Sequence, residues 1–286
     1  MSRPITAQLV GGLGNQLFTY YAAAALAAKL SAPLRIDPSR VAHGVSAQVF
    51  DLPGDWLPNV AGETSRGWRH SFAPRLTRRI TRQVPALGPL LRYYESTEPG
   101  EDPGLLDQNP GTTIRGYFQS WKTVEVAYRF GAKRQLSLES PSNWLVEAQR
   151  RAAADGPIAV HVRRGDYASS GAFGLLSADY YREALQWLRQ EGLRGPVWLF
   201  SDDLDAAADL IHEPFEVISS PAGPQEELLA MSRVAGFITA NSSFSWWGAW
   251  LSGSEHVVAP REWFKESPEP AGLIPPWWTR LPSQWV

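Results

Sequence analysis

His161, Arg163, Arg164 and Asp166 fall within one seven-residue stretch, HVRRGDY (161–167). Two guanidinium groups this close present fixed forks of N–H donors suited to phosphate oxygens. A second stretch, SDD (201–203), supplies Asp202 and Asp203. Their carboxylates can accept from a guanine N1–H and amine, or from ribose hydroxyls. A third, NSSFSWWG (241–248), sets Asn241, Ser242 and Ser243 just ahead of a helical pattern, where free backbone N–H groups attract an anion. Together the three stretches suggest a nucleoside diphosphate held by protein donors. Each also has a plainer reading. Arg164 and Asp166 could form a surface ion pair, the serines could be N-caps, and the aspartates could simply favour a helix N-terminus.

At the other end of the chain, GGLGNQLF (11–18) joins an apolar strand-like run to an alanine-rich helical one. Leu17 stands where a dinucleotide fingerprint needs its third Gly, and no Gly-Lys-Ser/Thr follows for a P-loop. Gly11, Gly12 and Gly14 would let backbone come close to a ligand, and a tight turn with positive φ is a compatible need. Asn15 and Gln16 offer amides to that ligand. Asp203 and Asp205 match an Asp-x-Asp metal pattern. Asp205 falls in the first turn of an expected helix, however, and two Arg already offer positive charge, so no metal is expected.

The elements that must position these groups are legible as alternation. Strands are expected at 5–10 and 34–37, with a helix over 17–30 whose apolar face is Leu17, Tyr21, Ala24, Ala25 and Ala28. In the second half, strands at 158–162, 197–200, 215–219, 236–240 and 256–260 alternate with helices near 179–191, 204–211, 225–233 and 244–251. Five strands alternating with helices describe a doubly wound parallel sheet, which binds ligands beyond the carboxyl ends of its strands. All three polar stretches leave such ends. The expected architecture is two α/β domains facing a cleft, 1–140 and 141–286.

Composition narrows the class. The chain has 286 residues, 44% hydrophobic and 12% aromatic, enough for two domains with real cores. Its 13 Trp suit sugars and bases, though core filling is the expectation for most of them. No cysteine is present, which excludes disulfides and thiolate metal sites. A net charge of −2 argues against a nucleic-acid partner. No window approaches the about 20 apolar residues of a membrane span, and MSRPITAQLV lacks signal-peptide anatomy, so a cytoplasmic protein is expected. Between Arg66 and Arg92 lie seven Arg and no acidic residue. A solvated basic face is the plainer reading, and peripheral contact with an anionic membrane or a lipid-linked glycan the sharper one.

GGLGNQLF, GYFQSWK (116–122), HVRRGDY, LFSDD (199–203), NSSFSWWGAWL (241–251) and VVAPREWF (257–264) occur in the order seen in bacterial α-1,2-fucosyltransferases, glycosyltransferase family 11. The chain resembles that family from about residue 8 to 264. The resemblance implies a GT-B-like fold of two Rossmann-like domains, an N-terminal acceptor side and a C-terminal donor side. It implies GDP-β-L-fucose as donor, metal-independent transfer with inversion, and the 2-hydroxyl of a β-galactoside as acceptor, in bacterial surface-glycan or O-antigen synthesis. By the same match His161 would contact guanine, Arg163 and Arg164 the diphosphate, Asp202 or Asp203 the guanine, and Ser242 and Ser243 the phosphates. With such a donor, Gly11, Gly12 and Gly14 would let backbone approach the sugar and β-phosphate, and Asn15 and Gln16 would offer amides to the fucose, phosphate or acceptor. No base is assigned: Asp166 beside two Arg is a weak one that could instead orient them, and His161 is a runner-up only if it does not face guanine. Rival readings are a GDP-sugar transferase of other sugar or linkage, and a non-catalytic glycan- or nucleotide-binding protein.

Overall fold

The computed structural model describes residues 2–41, 45–57, 91–165, 167 and 173–286. The chain divides into two compact units, one of Met1–Arg134 with Pro270–Leu273, the other of Gln135–Glu269 with Ile274–Val286. Each is a Rossmann-like α/β unit, as the GT-B-like class requires. The Arg-rich stretch lies outside the described residues except at its last Arg, Arg92.

The N-terminal unit runs β1 (Ile5–Gln8), α1 (Leu13–Lys29), β2 (Leu34–Asp37), β3 (Asp55–Trp56), β4 (Tyr93–Glu95), β5 (Thr113–Arg115) and α2 (Trp121–Arg129). Its sheet is parallel, in the order β3-β2-β1-β5-β4. Ala7 pairs with Ile36 on one side and Ile114 on the other, and all three are fully buried. The strand order reverses at β1 and β5, so the GGLGNQ segment and the GYFQSW segment leave neighbouring strand ends.

The expected one-sided α1 is corrected. The helix starts earlier, at Leu13, and is buried on nearly every side, while Ala24 is half-buried and Ala28 exposed. It packs against α2, where Tyr21 meets Tyr128 edge-on at 5.4 Å. A run of alanines carries no strong periodic signal, so burial by neighbours on several sides is not readable from spacing.

The C-terminal unit runs α3 (Asn143–Asp155), β6 (Ile158–Val162), α4 (Ala178–Gln190), β7 (Val197–Ser201), α5 (Leu204–Ala208), β8 (Phe215–Val217), α6 (Pro224–Met231), β9 (Gly236–Ile238), α7 (Ser243–Ser252), β10 (His256–Pro260) and β11 (Thr279–Leu281). All six strands are parallel, in the order β11-β10-β9-β6-β7-β8. Numbered from β6, that is the 3-2-1-4-5-6 order of a doubly wound sheet, with its switch point between β6 and β9. The expectation of five strands is therefore corrected to six. β11 is a three-residue edge strand whose residues are only half-buried, and so it lacks an apolar run.

β6 is buried along its whole length, as a central strand covered on both faces must be. α4 packs Tyr180, Tyr181, Ala184, Leu185 and Leu188 inward, a helical stripe that matches its sequence period. Glu226 in the first turn of α6 is almost fully buried. It accepts from the Ser142 N–H at 2.9 Å and from the hydroxyls of Ser142 and Ser220, both at 2.7 Å. This carboxylate ties α6 to the start of α3. Trp198, Trp246 and Trp247 are fully buried, and Trp246 stacks on Trp250 at 5.0 Å. Trp263 and Trp278 are buried as well, so core filling accounts for these five, while Trp277 is 54% exposed.

Candidate functional site

In the C-terminal unit the carboxyl ends of β6, β7 and β9 meet around the switch point. Asp202, just past β7, organises the loop that leaves β6. Its Oδ2 lies 3.0 Å from Arg163 Nη1, and its Oδ1 accepts from the Arg164 N–H at 2.9 Å. Gly165 passes so close that a Cβ there would sit 2.3 Å from Asp202 Oδ2. The glycine is needed for this approach rather than for its own dihedral. The Arg163 guanidinium also lies over the Tyr167 ring, 5.5 Å from its centroid. Tyr167 in turn stacks on Phe173 at 4.6 Å and donates its hydroxyl to the Asn241 carbonyl at 3.2 Å. The arginine is thus held by a carboxylate and an aromatic face, while its side chain stays 29% exposed.

His161, the fourth residue of β6, is almost fully buried, with its ring 5.5 Å from Phe244. Burial first, and the Arg163 charge second, push its pKa down to about 3. The imidazole is therefore neutral near pH 7, and its Nδ1 has no hydrogen-bond partner among the described residues. A group with so low a pKa is a poor general base at neutral pH. A polar atom buried without a partner is costly unless a ligand supplies one.

Asp203 is the N-cap of α5, its Oδ1 accepting from the Ala206 N–H at 3.1 Å, so its plainer reading describes its place. Asn241 is buried and turns its amide inward, donating to the Phe173 carbonyl at 2.8 Å. Ser242 stands at the N-cap of α7 yet makes no side-chain capping bond, and the first turn of that helix holds no acidic residue. Ser243 follows, half-buried. Ser245, unremarked in the sequence, is fully buried and accepts from the Ala240 N–H at 2.9 Å, joining α7 to the end of β9. Asp166 lies outside the described residues.

In the N-terminal unit the glycine junction is also a strand end followed by a helix start. Gly11 has φ +73°, and a Cβ there would lie 3.0 Å from Asn15 Nδ2. Gly12 is exposed, extended and N-caps α1 with no side chain; a Cβ there would meet nothing within 4 Å. Gly14 is buried in the first turn. Gln16 is fully buried and clamps backbone on both sides. Its Nε2 donates to the carbonyls of Gly11 at 3.0 Å and Val45 at 3.2 Å, and its Oε1 accepts from the Ala47 N–H at 2.8 Å. Asn15 is half-buried, its Oδ1 accepting from Gln119 Nε2 at 2.7 Å, which turns the Asn15 amino group toward Gly11. Gln119 has no role in the sequence reading; only its place in GYFQSWK marked it.

The structure thus brings His161, Arg163, Arg164, Asp202, Ser242 and Ser243 to one sheet edge of the C-terminal unit, and Gly12, Asn15 and Gln119 to one edge of the N-terminal unit. It uses Gln16, Asp203 and Asn241 for internal bonds. Among the described residues no three His, Cys, Asp or Glu side chains gather to hold a metal ion. No helix among them is long and apolar enough to cross a membrane.

Comparison with known proteins follows this geometry. Residues 137–271 match the model of glycosyl transferase family 11. An α-1,2-colitosyltransferase of Escherichia coli is 26% identical over 99% of this chain and 98% of its own. The O-antigen biosynthesis glycosyltransferase WbnK, also of Escherichia coli, is 35% identical over 37% of this chain and 38% of its own. A solved structure of NodZ α-1,6-fucosyltransferase soaked with GDP-fucose superposes with a TM-score of 0.52, covering 88% of this chain and 93% of that one. At 14% identity that likeness is one of fold. The chain is a glycosyltransferase of GT-B-like fold, related to glycosyl transferase family 11.

Proposed function

We propose that the protein moves L-fucose from GDP-β-L-fucose to the 2-hydroxyl of a β-galactoside, with inversion and without a metal, in the assembly of a bacterial surface glycan. The observation that carries the reading is the half-buried Arg163, held by Asp202 and Tyr167 at the switch point between β6 and β9, beside the uncapped first turn of α7. This is where a doubly wound sheet binds its ligand. A diphosphate there meets guanidinium groups and free helix N–H donors together.

In this reading residues 141–286 bind the donor and residues 1–140 serve the acceptor. The acceptor hydroxyl releases its proton to solvent as its oxygen forms a bond to C1 of fucose and the bond from C1 to the β-phosphate oxygen breaks, freeing GDP, through an oxocarbenium-like state. Negative charge grows on the departing oxygen, where Arg163, Arg164 and the Ser242–Ser243 backbone can stabilise it. His161, neutral and with no partner for Nδ1 among the described residues, is suited to a hydrogen bond with the nucleotide rather than to the proton transfer. Asp202 holds the β6 loop in register. No base is assigned, since His161 is too weak and Asp166 lies outside the described residues. The exposed Gly12 edge leaves room for a sugar.

A second reading, the same reaction with another GDP-linked sugar, is favoured by the full-length relative named as an α-1,2-colitosyltransferase. The test offers GDP-fucose and GDP-colitose in parallel, with lactose or N-acetyllactosamine, with and without EDTA. The first reading expects fucosylated product, unaffected by EDTA and cleaved by an α-1,2-specific fucosidase. Transfer from GDP-colitose alone supports the second. Activity lost in EDTA and restored by manganese contradicts metal independence. We further propose a cytoplasmic protein, with residues 66–92 read first as a solvated basic face and second as a contact with an anionic inner membrane face. Liposome co-sedimentation indifferent to anionic lipid and salt contradicts that contact.

A further inference from the structure

Four adjacent parallel strands of the N-terminal unit each end on a polar or charged residue. β2 ends on Asp37, β1 on Gln8, β5 on Arg115 and β4 on Glu95. Gln8 is in register with Asp37, and Arg115 with Glu95. The four side chains form one connected row. Gln8 Nε2 donates to Asp37 Oδ2 at 3.3 Å, Arg115 Nη1 donates to Gln8 Oε1 at 3.0 Å, and Arg115 Nε lies 3.9 Å from Glu95 Oε1. Gln8 is 6% exposed, and the side chains of Arg115 and Glu95 are 18% and 10% exposed. Largely burying an ion pair and an amide at a sheet end gives little net stability against apolar residues of similar size. The row sits where the strand order reverses, the place at which open α/β sheets take ligands.

Beside the row the chain leaves β5 through two unusual residues. Gly116 has φ +140°, and a Cβ there would lie 2.7 Å from the Ser96 Cβ. Phe118 has φ +45°, a conformation bulky residues rarely adopt, and is buried. Between them Tyr117 is 43% exposed, its ring 3.5 Å from where a Gly11 Cβ would stand. A flat aromatic face is thus presented next to backbone that carries no side chain.

We propose that this row and Tyr117 form the subsite for the terminal pyranose of the acceptor, a specificity that deepens the transferase reading above and rests on it. A pyranose has an apolar C–H face and neighbouring hydroxyls that each donate and accept. Tyr117 supplies the surface for the first, and Glu95 and Arg115 supply an acceptor and a donor for the second. The carboxylates of Glu95 and Asp37 disfavour a phosphate at this edge, which sets it apart from the arginine-lined edge of the C-terminal unit.

The test is initial-rate kinetics of the full chain at saturating GDP-fucose with lactose varied, beside thermal melting and the KM for GDP-fucose. Tyr117→Ala is expected to raise the lactose KM about five- to tenfold, and Tyr117→Phe to restore it. Glu95→Gln, nearly isosteric, is expected to raise it about tenfold or more. In each variant the KM for GDP-fucose should stay within about twofold, and in the two Tyr117 variants the melting temperature within about 3 °C; Glu95→Gln, which weakens the pair with Arg115, is assayed well below its own melting temperature. Unchanged lactose KM in both Tyr117→Ala and Glu95→Gln overturns the subsite and leaves the transferase reading standing. Wild-type protein that hydrolyses GDP-fucose but never transfers to lactose overturns the acceptor class and this subsite with it, while the donor reading stands.

Discussion

The two helix starts that follow β1 and β6's neighbour β9 are built alike and equipped differently. Both α1 and α7 begin at a sheet's switch point, have no side-chain capping bond and carry no acidic residue in the first turn. At α1 the approach is glycine, with Gly11 at positive φ and Gly12 open to space. At α7 it is serine, and the loop that leaves the neighbouring strand β6 carries Arg163 and Arg164. The same backbone device is therefore neutral and sterically bare in one unit, and cationic in the other. A neutral bare edge suits a sugar, while a cationic one suits a leaving diphosphate. The contrast supports the proposed division of chemistry between the units.

The contrast can be broken first at Gly165. A Cβ there overlaps Asp202, so Gly165→Ala must shift the carboxylate that holds both arginines. Transfer should fall about a hundredfold, roughly one lost transition-state donor, with the KM for the acceptor nearly unchanged. Steady-state kinetics with both substrates varied checks this. At the other edge, Gly11→Ala should lower stability by about 1–2 kcal/mol, because its backbone lies in the left-handed region; denaturant titration reads that cost. Gly12→Ala sharpens the comparison, since a Cβ there meets no protein atom. Its stability should stay within about 0.5 kcal/mol of wild type while kcat/KM drops about tenfold if sugar occupies that space. Full activity in Gly12→Ala would count against a ligand at the glycine edge.

A further effect concerns pH. His161 titrates near 6.5 when unfolded and about 3 when folded. Between those values the unfolded chain binds a proton that the folded chain refuses, so stability falls as pH falls, by at most about 1.4 kcal/mol per pH unit. Between pH 6.5 and 5 this slope lies above the ordinary carboxylate range, and His161→Asn should flatten it. Glu226, whose burial is outweighed by bonds from Ser142 and Ser220 that hold it below its ordinary value, adds a loss of the same sign only at lower pH. Urea titrations across the range separate the two.

Much of this was legible in the residues because it depends on short-range patterns. β2, β6 and β10 fall where their apolar runs end, and the arginine loop was placed at a strand end by alternation alone. What escaped depends on register. Gln8, Asp37, Glu95 and Arg115 are scattered over more than a hundred positions, and only sheet pairing aligns them. Gln16 and Asn241 looked like ligand donors because an amide's type says nothing of its direction. Folding turned both toward backbone carbonyls. The same applies to Asp203, whose capping bond needs the α5 start to exist before it can be seen.

The central claim is that Arg163 stabilises the charge on departing GDP, and single-turnover transfer at saturating GDP-fucose tests it most directly. For Arg163→Ala the account predicts a loss of about two to three orders of magnitude in the chemical step, with a melting temperature close to wild type. A single-turnover rate near that of wild type at full donor occupancy would contradict it.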